Sequence, residues 1–377
     1  MDNLDNNPPP DRHDRRPEAR AAGHDAKAED KDLAATADPA DGLVSGLADT
    51  ALPGRDQDLA APVDLSAPAA DHGPEDDPGS YIIPAGPIVI GQPILRFEPR
   101  PVRPSAYDVY RPDAVVDGWA TSYFLMRCAS LRGYLHRWDG TPRQDDVAVA
   151  VHDSTGVLLA AVADGLASAP LSHIGATWAC FRAVDWLKGQ LDVGVPVAKL
   201  SWEDLLTTAA MALVDYANSS LKGSAASVDE ASRQLATTLV AAAIVPHGDG
   251  LATAYLVGAG DSGAWMLRGG RITPVMNQKL GDAEEIADSS VSFPLPQLSP
   301  HAPAVSRVLL SPADVLLIGS DGFGDPLGSG RGQVGRLFAR ALVRPPDPLA
   351  FARLLDFSRE NYDDDRTLIA IWPTSPS

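Results

Sequence analysis

The first 80 residues of this 377-residue chain contain no Phe, Tyr, Trp or Ile, and they hold ten prolines. A segment so poor in large apolar side chains buries too little surface to offset the conformational entropy that folding would remove. The same segment has 19 Asp and Glu residues against 7 Lys and Arg residues. We therefore expect residues 1–80 to be a disordered acidic tail that acts as a solvating linker.

Basic residues are scarce along the whole chain, whose formal net charge is −19. Nucleic acids and anionic membrane surfaces are bound mainly through Lys and Arg, so we expect neither as a partner. No apolar run reaches the roughly 18 residues that span a bilayer, and the N-terminus lacks the pattern of a signal peptide. Cys128 and Cys180 leave room for one disulfide, but two buried reduced thiols are the simpler account. We expect a cytoplasmic monomer.

Residues 81–118 differ from the tail because apolar residues are interrupted by prolines. Proline removes backbone donors, so we expect an extended linker across the domain surface rather than a central strand or a helix. Residues 119–374 have the pattern of one folded domain. The predicted strands are 124–136, 147–151, 157–163, 238–245, 251–257, 263–268, 272–275, 308–310, 315–319 and 367–372. The predicted helices are 174–191, 202–218, 333–342 and 347–359.

Hairpins dominate this order of elements, and pairs of helices lie between them. Such an order favours an α+β fold in which helices pack outside antiparallel sheets. The polar stretch 276–304 is predicted as a long loop, which suggests a lid over a site. We hypothesise that this loop governs the choice of substrate.

Aspartates recur at the ends of the predicted strands. One such residue is an ordinary turn residue, but five sites on neighbouring strand ends are not. If they converge, each close pair of carboxylates repels by about 4 kcal/mol at an effective dielectric constant near 20. An all-oxygen site of this kind selects a hard cation such as Mg²⁺ or Mn²⁺, whereas zinc would require paired His or Cys residues that the sequence lacks. The sites are Gln144-Asp145-Asp146, Ala163-Asp164-Gly165, Gly260-Asp261-Ser262, Ser320-Asp321-Gly322 and Asp363-Asp364-Asp365.

These motifs, with a Thr237-Thr238 pair between the second and the third, resemble the protein phosphatase 2C (PPM) family over residues 120–373. Residues 136–146 resemble a bacterial branch of that family most. The resemblance implies a four-layer α/β/β/α sandwich of two antiparallel sheets flanked by helix pairs, with metal ions in a cleft between the sheet edges. It also implies two Mg²⁺ or Mn²⁺ ions and a looser third. The implied metal ligands are Asp145, Asp164, Gly165, Asp261, Asp321 and Asp364.

The resemblance also implies a role for each ligand. Asp164 would bridge two ions, the Gly165 carbonyl would bind one of them, and Asp145 would hold water bound to a metal. Asp321 would bind the second ion together with Asp364, and a third ion together with Asp261.

Several positions depart from the family pattern. Asp365 stands where the family usually has Asn, so the resemblance leaves open which carboxylate of this motif is the ligand. After the second motif many members have Met-Gly-Gly or a His that can act as general acid, whereas this chain has neither, and His173 is expected to cap a helix instead. Arg137 and Arg143 are both candidates for binding the substrate phosphate. Thr237 and Thr238 are expected to pack near the site.

The implied catalytic residues are Asp145, Asp164, Asp321 and Asp364. The implied reaction is hydrolysis of phosphoserine or phosphothreonine by a water that two metals activate, with no phosphoenzyme. The substrate would be a phosphorylated protein, such as a Ser/Thr kinase or one of its targets.

Two other functional interpretations are alternatives to an active phosphatase. The first is a pseudophosphatase that binds a phosphoprotein or a kinase without turnover. The second is a dinucleotide site at Gly330, Gly332 and Gly335, but the distance of this motif from the preceding strand argues against it.

Overall fold

The computed structural model describes residues 63–64, 81–103, 110–220, 227–276 and 293–374. The predicted tail, apart from residues 63–64, and most of the predicted 276–304 loop lie outside these described residues. Within the described ranges, no helix combines the length and the apolar character needed to cross a bilayer.

The described residues form strands and helices that alternate in blocks along the chain. The strands are β1 (Val63–Asp64), β2 (Ile88–Val89), β3 (Ala114–Ala120), β4 (Phe124–Leu131), β5 (Asp146–His152), β6 (Val157–Ala163), β7 (Leu239–Pro246), β8 (Ala252–Ala259), β9 (Gly263–Arg268), β10 (Arg271–Met276), β11 (Ser306–Leu310), β12 (Val315–Gly319) and β13 (Arg366–Pro373). The α-helices are α1 (Tyr134–Asp139), α2 (Ser172–Asp192), α3 (Trp202–Ser220), α4 (Val228–Leu235), α5 (Asp321–Leu327), α6 (Gln333–Ala341) and α7 (Pro348–Leu355). A 3-10 helix, Val197–Lys199, precedes α3.

Two antiparallel sheets form the centre of the domain. One sheet has the strand order β10-β9-β12-β13-β4-β3, and the other has the order β11-β8-β7-β6-β5. Helices α2, α3 and α4 pack against the five-stranded sheet, and α5, α6 and α7 pack against the six-stranded sheet. A third core cluster joins the inner faces of the two sheets. The predicted four-layer α/β/β/α sandwich is therefore confirmed.

The central strands are buried on both faces. In β6, Leu158 and Val162 face the core between the sheets, while Leu159 and Ala161 face the helices. Successive side chains of a strand point to opposite faces, so a strand covered on both sides needs apolar residues at every position. This arrangement explains the unbroken apolar run of β6.

The segment before the predicted domain takes part in the fold. Strand β3 pairs with β4 along its full length, so the boundary expected between residues 118 and 119 falls inside a strand. Residues 81–103 are mostly extended, yet Ile88 and Ile90 are fully buried in the core of the six-stranded sheet. Backbone hydrogen bonds join both of them to Ser358. Isoleucines placed between the prolines thus anchor this segment to the domain.

One predicted strand is wrong at its end. β4 stops at Leu131, and residues predicted as strand up to His136 instead begin α1. The chain turns at Gly133 because this glycine packs against the backbone of Asp364, where a Cβ atom would lie 2.2 Å from the carbonyl carbon. The other predicted strands and helices are present with small shifts at their ends, except that the helix predicted to residue 359 ends at Leu355. The elements β1, β2, β3, α1, α4, α5 and the 3-10 helix were not predicted. Both cysteines are buried and free.

Candidate metal centre

The β5–β6 hairpin places two carboxylates at one edge of the five-stranded sheet. Asp146 lies opposite Ala163 in the antiparallel ladder. Asp145 directly precedes this pair and Asp164 directly follows it, so both lie at the same end of the hairpin. The Thr238 amide donates to the Asp164 carbonyl over 2.8 Å, which continues the sheet toward β7.

The six-stranded sheet supplies two more carboxylates. β12 ends at Gly319 and β13 begins at Arg366, and these strands are antiparallel neighbours. The Ser320 amide donates to the Thr367 carbonyl over 3.1 Å, beyond the last paired residues. Asp321, at the start of α5, and Asp364, just before β13, therefore lie at the same end of the two strands.

The four carboxylates come together from the two sheets. Burial raises the pKa of Asp164 well above its usual range, and the charges of Asp145 and Asp321 raise it further. A hydrogen bond with Asp321 and the charge of Asp364 act in the same direction. The hydrogen bond places Asp164 and Asp321 in direct contact, and the charges of Asp145 and Asp364 are near enough to act on the same group.

Asp145 is the most deeply buried member, with 1% of its surface exposed. Neither of its carboxylate oxygens has a hydrogen-bond partner within the described residues. Burial, followed by the charge of Asp365, raises the pKa of Asp145 well above the usual range. The Ser320 and Thr367 hydroxyls lie near enough to favour its charged form, but they form no hydrogen bond of normal geometry with it. An unpaired buried carboxylate costs several kcal/mol. A hard divalent cation would remove this cost, so the donor set fits Mg²⁺ or Mn²⁺.

Asp364 gives the cluster access to solvent. It is exposed, and partial desolvation by the neighbouring protein atoms, followed by the charge of Asp365, raises the pKa of its carboxyl group to about 6. Asp364 and Asp321 line a cleft of about 160 Å³ together with Asp325 and Tyr362. The cleft opens beside two of the four carboxylates, those of Asp321 and Asp364.

Asp365 does not line the cleft, and its carboxylate is hydrogen-bonded by the protein. It is 2% exposed, and it accepts the Gly133 amide at 2.6 Å and pairs with His136 Nδ1 at 2.9 Å. Its other oxygen accepts the amides of Gln144 and Asp145. The geometry therefore favours Asp364 as the ligand in this motif.

His136 and Asp365 form a buried pair that the sequence analysis did not identify. Burial lowers the pKa of His136, but the hydrogen bond and the charge of Asp365 outweigh it and raise this pKa to about 9. Burial likewise raises the pKa of Asp365, and the hydrogen bond and charge of His136 bring it below its usual range. The only signal in the sequence was Asp365 at a position where the family usually has Asn.

The Thr237-Thr238 pair fixes the backbone at Asp164. The Thr238 hydroxyl accepts the Asp164 amide at 2.9 Å and contacts the Ser262 hydroxyl at 2.7 Å. The Thr237 hydroxyl donates to the Asp164 carbonyl at 2.9 Å. Leu295, on the described return of the 276–304 stretch, pairs with Thr237 through two backbone hydrogen bonds. The end of that stretch is thus hydrogen-bonded to Thr237, whose hydroxyl in turn donates to the Asp164 carbonyl.

The remaining candidates differ in accessibility. Asp261 is half-buried between β8 and β9, and Gly165 is buried against Ser172. Arg143 is 2% exposed, and its guanidinium donates to the Ser130 hydroxyl and to the Asp145 carbonyl.

Arg137 is half-buried and pairs with Asp356 at 3.0 Å. Of the two arginines proposed for the substrate phosphate, only Arg137 has appreciable contact with solvent.

The model for "Protein phosphatase 2C" matches residues 132–354, more than half of the chain. No significant match was found among curated protein sequences.

Several solved structures are similar in fold. The serine/threonine phosphatase of S. agalactiae is 17% identical, with a TM-score of 0.44, over 66% of this chain and 99% of that chain. The catalytic domain of the phosphatase PstP, solved in complex with 2 manganese ions, is 18% identical, with a TM-score of 0.44, over 67% of this chain and 99% of that chain. A phosphatase from Toxoplasma gondii is 15% identical, with a TM-score of 0.47, over 70% and 95% of the two chains.

Proposed function

The chain belongs to the protein phosphatase 2C family of metal-dependent phosphoprotein phosphatases, and from this premise we propose that it hydrolyses phosphoserine and phosphothreonine in proteins directly, without a phosphoenzyme. The observation that carries the proposal is the convergence of four carboxylates from two different sheets. Asp145, with both oxygens buried and unpaired among the described residues, gives it the strongest support.

The proposal assigns the metal ligands by position. Two Mg²⁺ or Mn²⁺ ions would be held by Asp164 and the Gly165 carbonyl from one sheet, where Asp145 would hold water bound to a metal, and by Asp321 and Asp364 from the other. When bound, such ions lower the pKa of a water, direct it in line with phosphorus and neutralise the phosphoryl oxygens. In this proposal no side chain forms a bond to phosphorus.

Two further residues complete the proposed site. Asp261 would serve a looser third ion together with Asp321. Arg137 would contact the substrate phosphate, because the Arg143 guanidinium is buried and already bonded to the protein.

We propose a phosphorylated protein as the substrate, such as a Ser/Thr kinase or one of its targets, and neither nucleic acid nor membrane as a partner. We also propose that the enzyme is a cytoplasmic monomer. The two free cysteines support a reducing compartment.

The test is hydrolysis of p-nitrophenyl phosphate by the full chain with Mn²⁺, with Mg²⁺ and with EDTA. The variants are Asp321→Asn in the centre and Asp153→Asn in the exposed turn between β5 and β6. We expect turnover that depends on the metal, that Asp321→Asn reduces to background and that Asp153→Asn leaves unchanged.

A folded protein that binds Mn²⁺ but has no turnover would favour the pseudophosphatase. Turnover that persists in EDTA, or that Asp321→Asn does not reduce, would refute the proposed mechanism.

A further inference from the structure

Arg111 reaches the candidate metal centre from a part of the chain that the family model does not cover. It precedes β3, whereas the family model begins at residue 132. Its side chain is only 10% exposed. Although this segment has the composition of a linker, the Arg111 side chain is half-buried against the domain.

The Arg111 guanidinium holds the backbone on the approach to β5. Its Nε donates to the Arg143 carbonyl, and its Nη2 donates to the Asp145 carbonyl over 3.0 Å. The same Nη2 pairs with the Asp146 carboxylate at 3.1 Å, while Nη1 donates to the Thr177 hydroxyl of α2 at 3.2 Å. The planar fork of one guanidinium therefore ties two backbone carbonyls to helix α2.

A second arginine acts on the same carbonyl. Arg143 Nη1 donates to the Asp145 carbonyl and to the Ser130 hydroxyl at 2.6 Å. The backbone of Asp145 is thus fixed by two guanidinium groups. Its carboxylate has no hydrogen-bond partner of normal geometry among the described residues, so the contacts that hold its backbone contribute to where the carboxylate lies.

Side chains that hold a metal-binding residue in place affect the affinity for the metal even though they do not contact the metal themselves. We propose that Arg111 is a positioning residue of the metal centre, which holds the Asp145 backbone so that its carboxylate faces the metal. This inference rests on the proposed function, because it requires Asp145 to take part in binding the metal. The N-terminal segment then completes the active centre and does more than connect it to the tail.

The test is calorimetric titration of the full, metal-free chain with Mn²⁺. The variants are Arg111→Gln, which removes the charge and the fork, and Arg111→Lys, which keeps the charge but not the fork. The matched control is Arg127→Gln, since Arg127 is also half-buried and donates to the carbonyls of Pro346 at 2.6 Å and Met126 at 2.8 Å. Thermal unfolding of each variant, and turnover of p-nitrophenyl phosphate over a range of Mn²⁺ concentrations, complete the set.

We expect Arg111→Gln to weaken Mn²⁺ binding on the order of tenfold to a hundredfold, and Arg111→Lys to weaken it less. Arg127→Gln should lower the Tm while its affinity for Mn²⁺ stays at the wild-type value. Because the loss lies in metal affinity, high Mn²⁺ should restore the turnover of Arg111→Gln. A purely structural defect would not respond in this way.

Wild-type affinity for Mn²⁺ in both Arg111 variants would overturn the inference and leave the proposed function standing. An equal loss of affinity in Arg127→Gln would also overturn it, because the effect would then follow stability. If the wild-type chain binds no Mn²⁺, the proposed function itself fails, and the inference fails with it. If Arg111→Gln does not fold, Arg111→Lys decides by the same criteria.

Discussion

The buried pair of His136 and Asp365 allows a quantitative prediction. Oδ1 of Asp365 accepts the Gly133 amide and pairs with His136, and Oδ2 accepts the amides of Gln144 and Asp145. In Asp365→Asn one carboxylate oxygen is replaced by an amide NH₂ group. Whichever oxygen is replaced, the NH₂ group faces a backbone N–H donor, Gly133 on one side or Gln144 on the other, and cannot accept its hydrogen bond. At about 1.5–3 kcal/mol for each hydrogen bond to a charged group, the loss of two bonds destabilises the fold by about 3–6 kcal/mol.

The prediction includes a dependence on pH. The pKa of His136 is raised to about 9, so its stabilising contribution is complete below its ordinary value of 6.5 and is lost as the pH rises through 9. The pKa of Asp365 is lowered, so its contribution is present above the ordinary value of 3.8 and is lost as the pH falls through the lowered pKa. The difference in unfolding free energy between the wild type and Asp365→Asn should therefore be largest between pH 4 and 6.5, and should shrink toward pH 9.

The assay is urea unfolding in EDTA at several pH values, followed by thermal unfolding at pH 6, where we expect the Tm of Asp365→Asn to fall by roughly 10 °C. The control is Asp363→Asn, because Asp363 is close in sequence and its side chain is only half-buried. We expect this variant to change the unfolding free energy by no more than about 0.5 kcal/mol. A loss below about 1 kcal/mol in Asp365→Asn, set against the expected hydrogen-bond energies, or a loss that does not vary with pH, would refute this account of the pair.

Three further predictions concern the metal centre and the core. Because the Asp364 carboxyl has a pKa raised to about 6, protons should compete with Mn²⁺ below that pH; calorimetric titration from pH 8 to pH 5 should show a falling affinity, and a constant affinity would contradict the assignment. A Cβ atom on Gly322 would lie 1.8 Å from the backbone carbonyl oxygen of Asp365, whereas a Cβ atom on Gly189 would meet nothing within 4 Å. Gly322→Ala should therefore lower the Tm and weaken Mn²⁺ binding, and Gly189→Ala should do neither. Equal effects in the two variants would be inconsistent with this packing. Burial raises the pKa of Cys128 to about 12 and that of Cys180 well above its usual value; neither thiol should react with Ellman's reagent at pH 8 until guanidinium unfolds the chain, and rapid reaction of the native protein would show that the thiols are accessible.

Local sequence patterns were enough to place half of the candidate site. The alternation before and after the turn at residues 153–156 predicted the β5–β6 hairpin, and the hairpin puts Asp145 and Asp164 at one sheet edge. This prediction succeeded because strand period and turn chemistry depend on residues that are neighbours in sequence. The approach of the second sheet, with Asp321 and Asp364, was expected only from the resemblance to a family.

Features that depend on distant residues could not be predicted. The choice between Asp364 and Asp365 is decided by donors such as the Gly133 amide, which lies 232 residues away in sequence. The close approach of Gly133 to the Asp364 backbone turns the chain into α1, where the sequence pattern predicted a strand. The contact of Arg111 with the site could not be predicted, because its segment has the composition of a linker. Only the folded chain shows that its guanidinium donates to the carbonyl of Asp145.

The central claim is that carboxylates from two sheets form one metal centre. The most direct test is a crystal of the full chain soaked in Mn²⁺, with anomalous diffraction recorded at the manganese edge. The account predicts two peaks about 3.5–4 Å apart among Asp145, Asp164, Asp321 and Asp364. No peak, or a single peak at the His136–Asp365 pair, would contradict it.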